Sequence, residues 1–137
     1  MTRERAFTLM EMLLVMVIIG LLAALVLPRL VGIAGQSKEK AARAQISALK
    51  QGLKSFDMHA GRLPTTAEGL DALVRRPAGL DEDQWDGPYL DEPEIPTDPW
   101  GNAYVYRNEG ESDYVLFSPG PDGKAGTEDD VGRTAGR

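Results

Sequence analysis

The chain has 137 residues, 21 acidic against 15 basic side chains, a formal charge of −6, one histidine and no cysteine. A net acidic chain is a poor match for a phosphate backbone, so nucleic acid is not an expected partner. Without cysteine, disulfide staples and thiol chemistry are both excluded.

Residues 1–6, Met1-Thr2-Arg3-Glu4-Arg5-Ala6, make a short basic leader. From 7 to 27 only Thr8 and Glu11 are polar, and a run of about 20 apolar residues is what a helix needs to cross a bilayer. Arg3 and Arg5 before the run suit a signal anchor with a cytoplasmic N-terminus, although Arg29, Lys38 and Lys40 follow its other end, so charge asymmetry alone leaves the orientation open. A small-x-small site at Gly32-Ile33-Ala34 leaves room for a cleaved secretory signal instead.

Glu11 is out of place in that run. A carboxylate at the centre of a membrane helix costs about 2.5–3.5 kcal/mol on insertion scales. Either it snorkels to the cytoplasmic interface, or it meets a counter-charge. Cleavage after Ala6 would free an amine on Phe7, one helical turn away. In low dielectric the Phe7 amine of a neighbouring copy could pair with Glu11 and set the axial register of bundled helices.

Pro28, Gly32 and Gly35 come next, and a kink or local melting is predicted there. Beyond them Ile46, Leu49, Leu53, Phe56 and Ala60 recur at spacings of three and four, with Lys38, Lys40, Arg43, Lys50 and Lys54 largely elsewhere. The helix is predicted to continue until Gly61 and Pro64; unbroken from 8 to 59 it would measure roughly 78 Å. Thr65-Thr66-Ala67-Glu68 has the form of a capping box, opening a short helix with Leu70, Leu73 and Val74 inward and Pro77 at its end.

Residues 81–98 read as an acidic loop with three prolines and no Lys or Arg. Strands are predicted at 103–107 and 114–118, an antiparallel hairpin laid against the apolar stripe. The remainder from Gly120 is glycine-rich and acidic. The fold class is therefore α+β: a long N-terminal helix, transmembrane in its first half, on a small antiparallel sheet.

Candidate chemistry is sparse. Asp122, Asp129 and Asp130 flank a glycine-rich turn, and carboxylates with carbonyls are what a hard cation such as Ca²⁺ takes. The spacing is not that of an EF-hand, and on these residues alone a solvated acidic turn is the simpler reading. His59 is the lone histidine, so no Ser/His/Asp set or histidine metal cluster can be assembled. Glu82 and Asp83 lie on a loop with no pocket signal. No catalytic residue is assigned. Trp85, Tyr89, Trp100, Tyr104 and Tyr106 read as core or covering aromatics.

Phe7-Thr8-Leu9-Met10-Glu11 through Pro28, Leu63-Pro64-Thr65-Thr66-Ala67-Glu68-Gly69-Leu70-Asp71-Ala72-Leu73, Gly87-Pro88-Tyr89-Leu90 and Asp98-Pro99-Trp100-Gly101-Asn102-Ala103-Tyr104 together resemble the major pseudopilins of type II secretion, the protein G family of the type IV pilin-like superfamily. The resemblance covers nearly the whole chain. It implies a pilin-like fold with a calcium-stabilised C-terminal loop, divided into a leader (1–6), a transmembrane and filament-core helix (7–34) and a periplasmic globular domain (35–137). It implies that a prepilin peptidase cuts after Ala6 and methylates Phe7, and that Glu11 is the assembly glutamate. Asp122, Asp129 and Asp130, with carbonyls near Pro119 and Thr127, become Ca²⁺ ligands. The implied partners are further copies in a helical pseudopilus, minor pseudopilins, the inner-membrane assembly platform and the outer-membrane secretin.

Two departures stand out. Ala6 replaces the glycine the family carries before the cleavage point, and Val131-Gly132-Arg133-Thr134 replaces an Asn-Trp-like segment. The competing readings are a type IV pilin, which commonly has a C-terminal disulfide this chain cannot form, and a signal-anchored metal-binding module. A mature N-terminus at Phe7 points to pilin-type processing, and one at Gly35 to ordinary secretion.

Overall fold

Helical backbone runs without interruption over Leu9–Ala60, a 52-residue helix α1. The computed structural model describes residues 7–110 and 113–135, with side chains throughout except at 28–33 and 134–135. Local melting at Pro28, Gly32 and Gly35 is not observed; the backbone stays helical through all three. Proline deletes a single ladder bond, and the good helix formers at 21–27 before it and at 38–50 beyond the glycines carry the helix across.

The chain divides into two compact units, one extending to Ser37 and the other beginning at Lys38. The first contains the apolar run Leu9–Leu27, with a mean hydropathy of 2.8 and no part of it buried by the rest of the protein. Apolar residues occur all round this half of α1, so no single face directs it to a protein core.

In the second unit α1 has the predicted stripe. Ile46, Leu49, Leu53 and Phe56 are at most 4% exposed and share one core with Leu63, Leu70, Leu73, Leu80, Tyr104 and Leu116. Gly52 is needed where the connecting segment comes close: a Cβ there would lie 3.2 Å from side-chain carbons of both Leu73 and Leu90.

The capping box forms as predicted: Thr65 N–H donates to Glu68 Oε2 at 2.7 Å and Glu68 N–H to Thr65 Oγ1 at 3.1 Å. The helical segment it opens is shorter than predicted, a 3-10 turn at Leu70–Leu73. Leu70 and Leu73 are buried, but Val74 is only half-buried. The acidic stretch is irregular apart from a 3-10 turn at Glu82–Gln84. It is pinned to the core by Trp85 Nε1 donating to Ala72 O at 2.9 Å and Tyr89 N–H to Leu73 O at 2.8 Å.

The sheet holds three strands, β1 (Val105–Asn108), β2 (Tyr114–Ser118) and β3 (Val131–Ala135), in that order and antiparallel throughout. The hairpin β1–β2 matches expectation, with β1 starting and ending slightly later than predicted. The third strand is absent from the sequence pattern. Val131-Gly132-Arg133-Thr134 is too short and glycine-broken to signal a strand alone, and it becomes one by pairing with β2. A bulge interrupts the pairing: two steps along β2 from Leu116 to Ser118 match three along β3, where Gly132 takes φ +74°.

Candidate functional site

The N-terminal candidate is a turn. Glu11 N–H donates to Thr8 Oγ1 at 3.2 Å, and the Glu11 carboxylate receives Thr8 N–H at 3.4 Å. This reciprocal arrangement caps the start of α1, where a carboxylate also suits the positive end of the helix dipole. Both Glu11 and Phe7 are exposed. Ala6 and the rest of the leader lie outside the described residues.

The C-terminal candidate is the loop between β2 and β3, which carries Pro119, Asp122, Thr127, Asp129 and Asp130. Pro119 and Gly120 are buried, while Asp122, Thr127 and Asp129 are exposed. Asp122 Oδ1 receives Lys124 N–H at 3.0 Å; Thr127 Oγ1 donates to Lys124 O at 3.2 Å. The Asp130 side chain is 4% exposed, and its oxygens receive Gly126 N–H at 3.2 and 3.0 Å with Arg133 Nη1 at 3.4 Å.

All these donors are oxygens and all sit on one loop, the chemistry a hard cation requires. Among the described residues no three carboxylates gather at one point. Asp122 and Asp130 instead satisfy backbone N–H groups within the loop. The donor types therefore fit calcium, while the Asp122 and Asp130 carboxylates are engaged with the loop's own backbone.

The loop's two ends meet at Gly120. Its φ is +71°, and a side chain there would collide with the Asp129 carbonyl. Asn102 Nδ2 donates to Gly120 O at 2.9 Å. In the sequence, Asp98 and Asn102 stand out only within a family motif and carry no chemistry of their own. An Asp-Pro-x-Gly-Asn turn is the available signal, because a short side chain there bonds its own backbone.

The other candidate residues have structural settings. His59 is exposed and sits 3.1 Å from the Tyr89 hydroxyl. Tyr104 is buried, and Trp85, Tyr89 and Tyr106 pack against the core, whereas Trp100 is half-buried at the Asp98 turn. Glu82 and Asp83 are exposed on their 3-10 turn.

Comparison with known proteins covers both parts of the chain. A family described as type II secretion system (T2SS), protein G matches residues 29–134, and the prokaryotic N-terminal methylation motif matches 1–27. Similar relatives named type II secretion system core protein G occur in Aeromonas hydrophila, 41% identical over 95% of this chain and 92% of that protein. Another, in Escherichia coli K12, is 42% identical over 94% and 90%. The crystal structure of the major pseudopilin from the type 2 secretion system of enterohaemorrhagic Escherichia coli is similar with a TM-score of 0.62 and 35% identity, covering 76% of this chain and 92% of that one. Matched by sequence over nearly all its length and by fold over three quarters of it, this chain belongs to the type II secretion system protein G family.

Proposed function

We propose that the chain is the repeating structural subunit of a type II secretion pseudopilus, and that it works by polymerising rather than by catalysis. The observation that carries this reading is the apolar half of α1. Nineteen residues, Leu9–Leu27, are left unburied by the described residues of the protein. Such a surface needs lipid or other copies of itself. Before assembly it anchors the subunit in the inner membrane with the N-terminus cytoplasmic; in the filament, like helices replace lipid.

In this reading a prepilin peptidase removes residues 1–6 and methylates Phe7, and the new amine of one subunit pairs with Glu11 of another. Residues 7–34 make the filament core and 35–137 its periplasmic coat. Minor pseudopilins, the assembly platform and the secretin complete the machine, which drives folded proteins across the outer membrane. Calcium would be held by Asp122, Asp129 and Asp130 with carbonyls near Pro119 and Thr127, supplying the staple that a cysteine-free domain lacks.

The test is Glu11→Ala in cells that carry the secretion machinery. The variant should still fractionate with the inner membrane and still yield a mature N-terminus at Phe7, while sheared pseudopili disappear. Normal filaments from Glu11→Ala would remove the pairing role; a mature N-terminus at Gly35 would remove the reading altogether.

A further inference from the structure

Asp98 is 3% exposed, a carboxylate inside the globular unit with no cation bonded to it among the described residues. A charge so placed survives only with several donors aimed at it. Trp100 N–H and Asn102 N–H reach Oδ1 at 3.0 and 2.7 Å, and Ser118 Oγ donates to Oδ2 with Asn102 Nδ2 at 3.4 Å from the same oxygen. Two of those donors also hold the loop. Ser118 Oγ accepts Gly120 N–H at 3.0 Å, and Asn102 Nδ2 donates to Gly120 O at 2.9 Å.

Both backbone polar groups of Gly120 are thereby tied to one buried carboxylate, and the returning end of the loop rests on the bare face of that glycine. Asn102 also lies under Gly123, where a Cβ would be 3.0 Å from Asn102 Oδ1. We propose that Asp98, Asn102 and Ser118 form a clamp that closes the loop of residues 119–130 and so sets its affinity for calcium. The link to affinity rests on the proposed calcium site; the clamp itself does not. Asn102 acts here as a positioning residue. It holds the Gly120 carbonyl and, through it, the segment carrying Pro119 and Asp122 against the segment carrying Asp129.

The experiment compares the full-length protein in detergent with Asn102→Ala and Ser118→Ala, the latter a near-isosteric change that keeps the fold if the former does not. Trypsin cleavage after Lys124, in the loop, is measured in excess EGTA relative to cleavage after Arg75, outside the clamp. Calcium binding is measured by calorimetry. The clamp requires faster Lys124 cleavage without a matching rise at Arg75, and its link to calcium requires a Kd raised about tenfold, the low end for loss of an outer-shell partner. Unchanged relative cleavage in both variants overturns it. Faster Lys124 cleavage with an unchanged Kd overturns its link to calcium. If wild-type protein binds no calcium while the variants still open the loop, the clamp stands and the calcium reading falls.

Discussion

Arg62 and Glu68 make a two-pronged side-chain ion pair, with parallel contacts of 2.7 and 2.8 Å and Glu68 also receiving Thr65 N–H. The hydrogen bond from Arg62 is the main reason the Glu68 carboxyl falls from an ordinary 4.5 to about 2. Because the folded value lies below the unfolded one, the stabilisation is complete above pH 4.5 and drains away as pH falls toward 2. The pair is partly solvated, so its worth is discounted. Glu68→Gln is expected to cost about 1 kcal/mol at pH 7. Urea denaturation at pH 7 and pH 3 checks this: the gap between wild type and variant should narrow at the lower pH. A gap of constant size would mean that Glu68 acts through its shape alone.

Along α1 one continuous helix joins an apolar half left unburied to a half that forms one side of a core. Leu53 is 0% exposed and central to the domain core, whereas Leu22 is 58% exposed in the apolar half. Leu53→Ala should destabilise the domain by about 2–5 kcal/mol, the range for buried leucines whose sites cannot fully collapse. Leu22→Ala should leave that unfolding transition where it is, since Leu22 is no part of the domain core. Chemical denaturation followed by tryptophan fluorescence reads both, and equal losses would contradict this division of the helix. β3 shows the complementary case, an element made by its partner: Gly132 is held so close to Ile46 of α1 that a Cβ would lie 2.6 Å from the Ile46 Cδ1 atom.

For the whole molecule, the proposed calcium ion in the C-terminal loop would supply the staple that a cysteine-free domain lacks. A ligand that binds only the folded form adds RT ln(1 + [L]/Kd), about 2.7 kcal/mol at a hundredfold excess over Kd. For a domain of this size that corresponds to a melting shift on the order of 10 °C. EGTA is therefore expected to lower the melting temperature of the full-length protein by about that amount, with stoichiometric calcium recovered by native mass spectrometry beforehand. An unchanged melt with no bound metal would remove the calcium reading and leave the loop held by its hydrogen bonds. Assembly is a property of the same scale: in the proposed reading, the apolar surface that anchors a lone subunit in a membrane becomes the interior of a filament.

Hydrophobic periodicity determined much of this protein by itself. The membrane-length run, the stripe at Ile46, Leu49, Leu53 and Phe56, the Thr65–Glu68 box and the β1–β2 hairpin are local patterns. Each repeats within a few residues and needs no distant partner to be read. The third strand, the Arg62–Glu68 pair and the Asp98–Asn102–Ser118–Gly120 network join residues that are neighbours only after folding. Ser118 reaches a carboxylate 20 positions earlier, and Asn102 reaches a carbonyl 18 positions later. No spacing rule encodes such distances, since hydrogen bonds between remote groups are chosen by the packing that brings them within about 3 Å. Only the tertiary structure could decide that the loop's fastening lies in the turn at Asp98 as well as in its own aspartates.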